Sequence, residues 1–237
     1  MTHYGIIGKP LEHSFSAMYF TQKFEREHID ADYCLYALDN LSDIARLMQY
    51  LHGFNVTYPY KEQILPYLHG IDAVAQRIGA VNVVCQGRGY NTDWLGFMRS
   101  IQPYFLPSDR HVLLLGTGGV SKAVQYALQQ MHLRYTCVSR HPGEHQLAYH
   151  QLTREVMEQH TVIVNCTPLG MLPEVDTCPP IPYEYITPAH LLYDCVYNPE
   201  RTLFLQNGQR QGARILNGKQ MLYLQADAAY EIWNKNK

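Results

Sequence analysis

Two hydrophobic patterns alternate in the second half of the chain. Residues 112–115 (VLLL) are apolar at every position, as in a parallel strand that is covered on both faces. Similar runs return at 135–138, 162–166 and 191–196. After the first run, apolar residues follow helical spacing, at Val120, Ala123, Val124, Ala127, Leu128 and Met131. This alternation predicts β-α-β units in a parallel sheet.

The first part of the chain alternates in the same way. Strand-like runs lie at 4–8, 33–38, 54–57 and 80–85. Between the second and third runs, apolar residues have the i, i+3, i+4, i+7 spacing of a half-buried helix, at Ile44, Leu47, Met48 and Leu51. Helices are also expected over 14–28, where serines suit the N-cap, and over 221–233. The whole chain is therefore predicted to be α/β.

Two stretches rich in proline interrupt these patterns. Residues 103–109 (PYFLPSD) mark the connection between the two α/β stretches. Residues 173–188 contain five prolines, too many for a helix or a central strand. A loop of that length is either functional or a passive excursion over the surface, and the sequence does not decide between the two.

Composition restricts the class of protein. A chain of 237 residues forms one large domain or two small ones, and 46% hydrophobic with 17% charged residues is typical of a globular protein. The net charge of −2, without a dense Lys/Arg cluster, argues against nucleic acid or an anionic membrane as partner. No apolar run approaches the ~18 residues of a membrane span, and no signal peptide is visible. We expect a cytoplasmic protein.

The cysteines and histidines do not indicate a metal site. The six cysteines are scattered without a CxxC pair, and four lie in apolar runs, at 85, 137, 166 and 195. Such thiols behave as small hydrophobic groups and are expected to be reduced. The twelve histidines show no HExxH or similar spacing, so no metal is expected.

A glycine turn follows the first fully apolar run, in VLLLGTGGVSKA (112–123). A strand, a glycine turn and a helix in succession allow backbone amides at the helix N-terminus to bind a pyrophosphate. The match to G-x-G-x-x-G is imperfect: Gly116 and Gly118 fit, Gly119 is an extra glycine, and Ser121 takes the third place. Because a strand precedes this turn and a helix that includes Val120 follows it, a nucleotide site is favoured over an ordinary turn.

The next strand-like run ends in VSRH (138–141). A site for NAD usually carries Asp or Glu here, whereas arginine suits the 2′-phosphate of NADP. Arg140 is always charged and can bind a phosphate through two hydrogen bonds. The sequence favours NADP, and a solvated surface arginine is the alternative.

Several polar residues of the first part suit a binding or catalytic site. Ser14 and Ser16 lie at a helix start, where hydroxyls, amides and the helix dipole favour an anion. Simple N-capping explains one serine equally well. Asp93 could cap a helix and Lys61 could be a solvated charge, but in one active site they would form an acid/base pair.

Eight motifs extend in order over nearly the whole chain. They are GKPLEHSFS (8–16), NVTYPYK (55–61), GAVNVV (79–84), NTDWLGF (91–97), GTGGVSKA (116–123), NCTPLGM (165–171), YDCVYNPERTLFL (193–205) and GKQMLYLQA (218–226). In this order they resemble the shikimate dehydrogenase family (shikimate/quinate 5-dehydrogenases). The resemblance implies two α/β domains with the active site in the cleft between them. Residues 1–97 plus 218–237 would bind substrate, and residues 98–217 would form a Rossmann-like NADP domain.

The reaction that the resemblance implies is reversible hydride transfer between NADPH and 3-dehydroshikimate, giving shikimate for chorismate and aromatic amino acid biosynthesis. The partner would be this small-molecule substrate, and the enzyme would be a monomer or homodimer. Two alternatives stay open. One is an enzyme for quinate, or for both substrates, with NAD or NADP, and the other is a non-catalytic nucleotide or metabolite sensor.

The same resemblance assigns roles to individual residues. Lys61 would be the catalytic acid/base and Asp93 its orienting partner. The substrate would contact Ser14, Ser16, Thr57, Asn82, Tyr197 and Gln225, with the two serines on its carboxylate. The cofactor would contact Gly116, Gly118, Gly119, Val120, Ser139, Arg140, Asn165, Thr167, Gly218 and Met221, the last two beside the nicotinamide.

The sequence departs from the family pattern in three places. Ala17 and Phe20 replace the usual proline and histidine after the second serine, which puts the helix entry in doubt. In the cofactor loop, Arg140 is the only clear basic residue. NADP remains the expected cofactor, and the sequence leaves open how strictly it is preferred over NAD. Tyr58 and Tyr60 are bulkier than the residues usually found on either side of Pro59, and the sequence does not explain them.

Overall fold

The computed structural model describes residues 1–11 and 14–235, so residues 12 and 13 of the first motif and residues 236 and 237 lie outside the described residues. The strands are β1 (Thr2–Gly8), β2 (Ala31–Ala37), β3 (Gly53–Val56), β4 (Gly70–Ile71), β5 (Val83–Cys85), β6 (Arg88–Tyr90), β7 (His111–Leu115), β8 (Arg134–Ser139), β9 (Gln146–Ala148), β10 (Val162–Asn165), β11 (Leu191–Asp194) and β12 (Arg214–Leu216). The α-helices are α1 (Phe15–Arg26), α2 (Ile44–Tyr50), α3 (Tyr60–Gln63), α4 (Ala73–Ile78), α5 (Asp93–Ile101), α6 (Gly119–Gln130), α7 (Arg154–Gln159), α8 (Leu203–Arg210) and α9 (Lys219–Lys235).

The chain divides into two compact units. The N-terminal unit consists of Met1–Thr92 and Ala226–Lys237, and the central unit of Asp93–Gln225. The expected domain boundaries, 97/98 and 217/218, differ from this division because α5 and the first turns of α9 pack on each other. A methyl group on Gly96 of α5 would come within 2.7 Å of the Met221 carbonyl oxygen in α9. Both helix segments therefore belong to the central unit.

The N-terminal unit contains a mixed six-stranded sheet in the order β2-β1-β3-β5-β6-β4. Strands β2 and β3 are parallel to β1, whereas β5 is antiparallel to both β3 and β6. Alternate side chains of β1 enter different cores: Tyr4 and Ile6 pack with Phe20 and Trp233, and Ile7 packs with Phe54. This period of two lets α1 and the end of α9 cover one face.

The central unit contains a fully parallel six-stranded sheet in the order β12-β11-β10-β7-β8-β9. The chain starts at β7, runs outward through β8 and β9, and returns to β10 on the other side of β7. This is the 3-2-1-4-5-6 order of a Rossmann sheet, whose ligand site lies where the order reverses. The run 112–115 is fully buried, as its apolar pattern predicts.

The loop 173–188 covers one face of the central sheet. Ile181 and Ile186 are buried in the core beside Phe204 of α8, and the Tyr183 hydroxyl donates to the Pro179 carbonyl over 2.9 Å. The loop therefore contributes to the core, which neither sequence-based interpretation included. Within residues 1–11 and 14–235, no helix is long and apolar enough to cross a membrane.

Candidate active site

Ser14 occupies the N-cap position of α1 in an extended conformation, but its side chain makes no capping hydrogen bond. Its hydroxyl oxygen is buried and has no hydrogen-bond partner among the described residues. A buried hydroxyl without a partner costs about 1–3 kcal/mol. A hydroxyl in that state at the start of a twelve-residue helix is suited to an anionic ligand.

Ser16 begins a chain of buried polar side chains. It forms a hydrogen bond with Tyr33. Burial raises the pKa of Tyr33, and this hydrogen bond offsets part of the rise. The Tyr33 hydroxyl donates to the Asn55 side-chain oxygen over 2.7 Å, and the Asn55 amide donates to the Asn82 carbonyl over 3.3 Å. The Asn82 side chain accepts from the Thr92 backbone amide at 2.7 Å and donates to its hydroxyl at 3.0 Å. This series of hydrogen-bonded side chains links two predicted substrate residues, Ser16 and Asn82.

Thr57 and Lys61 lie in the turn that follows β3. The Thr57 amide donates to the Ile7 carbonyl of β1 over 2.9 Å. The half-buried Lys61 lies in α3, and its carbonyl accepts from the Val81 amide over 2.8 Å. Both ends of the turn are therefore fixed to neighbouring backbone, which restricts where the lysine side chain can reach.

The two tyrosines around Pro59 have different environments. Tyr60 is buried, and its hydroxyl donates to the Leu38 carbonyl after β2 over 2.7 Å. Tyr58 is 74% exposed. Tyr60 therefore holds α3 against the sheet, while nothing in the structure explains Tyr58.

Asp93 is the first residue of α5 and is only 5% exposed. One turn further along, Gly96 lies against Met221 and Gln225 of α9, both predicted site residues. Only a glycine fits there, because a methyl group would also come within 3.0 Å of the Gln225 Cβ. The structure thus brings the first turn of α5 together with Met221 and Gln225.

Gly218 lies against the segment that follows β11. Its amide donates to the Val196 carbonyl over 3.2 Å, and a methyl group on it would come within 2.4 Å of the Cys195 carbonyl oxygen. The half-buried Tyr197 follows directly in the same segment. Gly218 and Tyr197, predicted at the nicotinamide and the substrate, therefore belong to one locality of the central unit.

The glycine turn lies where the order of the central sheet reverses. Gly116 has a φ of 102°, a left-handed conformation that favours glycine. A methyl group on it would come within 2.9 Å of the Thr167 side chain, which follows β10. Gly116 and Thr167, predicted from separate motifs, are therefore neighbours across the ends of β7 and β10.

The first turn of α6 suits a pyrophosphate. Gly118 is the N-cap, and a methyl group built on it would meet nothing within 4 Å. The amides of Gly119 and Val120 follow in the first turn, whose N-terminal position attracts phosphate. Ser121, in the place of the third glycine, is fully buried and accepts from Gln125 at 3.2 Å. Close approach to this helix end is thus preserved, and a dinucleotide fits the turn.

Arg140 lies exposed just beyond β8. The Ser139 hydroxyl before it is engaged by the His141 backbone, accepting from its amide at 3.2 Å. Burial raises the pKa of Tyr149, and the positive charge of Arg140 opposes that shift. Tyr149 was not a predicted site residue, and its isolated aromatic ring after β9 gave no signal in the sequence.

Asn165 and Asp194 organise the ends of β10 and β11. The Asn165 side chain accepts from the Thr167 amide at 3.0 Å and hydroxyl at 2.6 Å, and donates to Asp194 at 3.0 Å. Asp194 also accepts from the Val196 amide at 3.0 Å and from the Thr202 hydroxyl. Burial raises the pKa of this fully buried carboxyl to about 7. Asp194, which holds the predicted cofactor residue Asn165 in place, was not predicted, because an Asp at a strand end gives no sign of its burial.

Known relatives match nearly the whole chain. Residues 6–84 match the model of the shikimate dehydrogenase substrate binding domain. The shikimate dehydrogenase (NADP(+)) of Clostridium botulinum strain Hall is 34% identical over 249 residues, 98% of this chain and 96% of the relative. That of Desulforamulus reducens is 32% identical over 260 residues, 97% of this chain and 88% of the relative. The chain belongs to the shikimate dehydrogenase family.

A solved member of the shikimate dehydrogenase family has the same fold. The crystal structure of shikimate 5-dehydrogenase from Thermus thermophilus, in complex with NADP(H) and shikimate, matches with a TM-score of 0.88 at 28% identity, over 99% of this chain and 94% of that one. The predicted family and the predicted two-domain, Rossmann-like α/β class are confirmed.

The roles of individual residues within this family member stay predictions. Five predicted substrate and catalytic residues belong to the N-terminal unit, namely Ser14, Ser16, Thr57, Lys61 and Asn82. Asp93, Tyr197 and Gln225 belong to the central unit, with all the predicted cofactor residues. Among residues 1–11 and 14–235, no group of three or more His, Cys, Asp or Glu side chains could hold a metal ion.

Proposed function

We propose that this protein catalyses the reversible NADPH-dependent reduction of 3-dehydroshikimate to shikimate, in the biosynthesis of chorismate and the aromatic amino acids. The observation that carries the proposal is the fit of a dinucleotide to the central unit. A glycine with left-handed φ and an open helix N-terminus lie at the reversal point of a Rossmann sheet, with an arginine beyond the next strand. Family membership supports the choice of substrate.

Bound NADPH supplies the hydride. The backbone from Gly116 to Val120 would hold the pyrophosphate, and Arg140 would hold the 2′-phosphate, with Ser139 beside it. Asn165 keeps the Thr167 turn in place beside Gly116, since its side-chain oxygen accepts both the amide and the hydroxyl of Thr167. Gly218 and Met221 line the nicotinamide side.

The substrate carboxylate is bound by Ser14 and Ser16 at the start of α1. Since the Ser14 hydroxyl has no partner among residues 1–11 and 14–235, that anion would supply its hydrogen bond. Thr57, Asn82, Tyr197 and Gln225 contact the ring and its hydroxyls. Discrimination against analogues follows from buried polar groups that a wrong ligand would leave unsatisfied.

The proton is handled by Lys61, with Asp93 as its orienting partner. When hydride leaves the ring carbon, the hydroxyl on that carbon must lose a proton, and in the reduction the carbonyl must gain one. Lys61 accepts or donates that proton. The turn that carries Lys61 is fixed through its carbonyl and through Thr57, so the amine has a restricted reach.

A second candidate is an enzyme that uses NAD as well as NADP, with shikimate or quinate. It is favoured by the cofactor loop, where the Ser139 hydroxyl is engaged by the His141 backbone and Arg140 is the basic residue that remains for the 2′-phosphate. We further propose a cytoplasmic monomer or homodimer without a nucleic-acid or membrane partner, on the basis of the composition.

The test is a matrix of shikimate or quinate against NADP or NAD, followed through the absorbance of the reduced nicotinamide. Shikimate with NADP is expected to give the highest kcat/KM. Lys61→Ala should abolish turnover, and Lys235→Ala, at an exposed position near the end of α9, should not. Binding of ligands without turnover would favour a sensor instead and would overturn the proposal.

A further inference from the structure

Two cysteines lie side by side at the carboxyl edge of the central sheet. Asn165 and Asp194 are opposite each other in the ladder of β10 and β11, and Cys166 and Cys195 are the next residues along each chain segment. The Cys195 amide donates to the Asn165 carbonyl over 2.9 Å, so the ladder continues to this pair. Their sulfur atoms are 3.9 Å apart, and both cysteines are free thiols.

The backbone holds this pair within the range of a disulfide. Neighbouring strands lie about 4.8 Å apart, and disulfides join Cα atoms about 4.4–6.8 Å apart. Asn165 and Asp194 hydrogen-bond to each other on one face of the sheet, so the residues that follow them leave from the other face together. For the bond to form, the sulfurs must approach from 3.9 Å to about 2.05 Å, so the two residues must move towards each other.

The surroundings give the two thiols different chemistry. The hydrogen bond with Cys166 raises the pKa of the Cys195 thiol, and burial and the carboxylates of Asp194 and Asp93 raise it further. Either sulfur can be the donor of the hydrogen bond between them. Because its proton is held more firmly than that of an ordinary thiol, Cys195 is the weaker nucleophile, and Cys166 is the thiol that reacts first with an oxidant.

The pair also touches the predicted nicotinamide side of the site. Both side chains pack on the core cluster that includes Met221 and Phe97. The Cys195 carbonyl oxygen faces Gly218 and the Cys166 carbonyl faces Gly116, where added methyl groups would come within 2.4 Å and 3.4 Å. A covalent bond between the two residues would therefore displace backbone against which both glycines are packed.

We propose that Cys166 and Cys195 form a reversible disulfide that reduces cofactor binding and turnover. The effect on turnover rests on the proposed function, whereas the bond itself does not. The oxidant is a peroxide. The Cys166 sulfur attacks one oxygen of hydrogen peroxide and becomes a sulfenic acid with release of water. The Cys195 sulfur then attacks the sulfenic sulfur, a second water leaves, and two thiols have lost two electrons in total to the peroxide.

The experiment uses the full chain, treated with hydrogen peroxide, alkylated and digested without reduction for mass spectrometry. NADPH binding, by fluorescence, and turnover are measured on the same samples before and after dithiothreitol. Cys166→Ser and Cys195→Ser remove the pair, and Cys178→Ser changes a half-buried thiol of the loop 173–188 as the matched control. Each variant is compared with its own reduced sample.

After peroxide treatment, disulfide-linked peptides containing Cys166 and Cys195 are expected in the protein without substitutions and in Cys178→Ser. Their turnover should fall roughly tenfold to hundredfold and return with dithiothreitol, because small displacements near reacting atoms are costly. Cys166→Ser and Cys195→Ser should show the same turnover after peroxide treatment as in their own reduced samples. Absence of the cross-link, irreversible oxidation of Cys166 alone, or a cross-link without loss of NADPH binding overturns the proposal. A cross-link that lowers NADPH binding in a protein without shikimate turnover would instead overturn the proposed function alone.

Discussion

The Tyr33 hydroxyl donates a hydrogen bond of 2.7 Å to the side chain of Asn55 inside the N-terminal unit. The two residues lie on β2 and β3, which flank β1, so the bond passes over the central strand of the three. It connects Ser16, at the start of α1, with the strand that leads to Lys61. We therefore expect the proposed carboxylate-binding Ser16 and the turn that carries the proposed catalytic Lys61 to be coupled through one buried phenol.

Tyr33→Phe is expected to raise the KM for shikimate about tenfold and to lower the free energy of unfolding by about 1–3 kcal/mol, because Asn55 loses its buried donor. Steady-state kinetics and urea unfolding measure the two effects. Tyr36→Phe, at a half-buried position of the same strand, is the control. An unchanged KM in Tyr33→Phe would show that the hydrogen bonds from Ser16 through Tyr33 to Asn55 do not affect substrate binding.

Ser14→Ala should separate stability from binding. The Ser14 hydroxyl is buried, has no partner in the described part of the chain (1–11 and 14–235) and does not cap α1. Its removal should therefore leave the free energy of unfolding unchanged or raise it by about 1 kcal/mol. The KM for shikimate should rise about tenfold, since a charge-assisted hydrogen bond is lost.

Asp72→Ala is the matched control for that prediction. Asp72 is the N-cap of α4 and does accept from the Val74 amide, at 2.9 Å. Its replacement should cost about 1 kcal/mol of stability. A comparable loss in Ser14→Ala would mean that Ser14 is a structural cap.

Arg140→Ala is expected to raise the KM for NADPH by about tenfold or more and to leave the KM for NADH nearly unchanged, because only NADPH carries the 2′-phosphate. Arg134→Ala, at the exposed start of the same strand, should change neither constant. Equal effects of Arg140→Ala on both cofactors would place the arginine elsewhere in the site.

Asp194 should make stability fall as pH rises. Its pKa is about 7 in the folded protein and close to 4 when unfolded, so the folded state binds more protons between these values. The contribution of Asp194 to the free energy of unfolding is largest below about pH 4 and decreases as the pH rises to about 7, by at most about 1.4 kcal/mol per pH unit. Asp194→Asn should lose this slope, and urea unfolding between pH 4 and pH 8 measures the difference. Identical profiles would mean that the carboxyl is ionised throughout.

The elements that could be predicted from the sequence are those whose packing leaves a complete pattern. Parallel strands covered on both faces, such as β7, must be apolar at every position, and a helix on one face of a sheet must repeat its apolar residues. The short strands β9 and β12 and the six-residue helix α7 leave too few residues for a period, and they were not predicted.

The polar links of the site depend on register, which the sequence does not show. Tyr33 reaches Asn55 because β1 pairs Tyr4 with Tyr33 and Ile6 with Asn55. The burial of Asp194 depends likewise on the pairing of β10 with β11. Residues that stand next to a turn or glycine could be found from spacing, whereas those that act through a neighbouring strand could not.

Trp233 completes a core whose other side is formed by residues near the start of the N-terminal unit. It is fully buried among Tyr4 and Phe20, its indole donates to the Val84 carbonyl at 3.0 Å, and a methyl group on Gly53 would come within 2.3 Å of its ring. Tyr4 and Phe20 are synthesised before the central unit, and Trp233 is synthesised after it. The N-terminal unit therefore cannot close this core until the whole central unit has been made, so the central unit can fold while Tyr4 and Phe20 still lack a partner of their final packing.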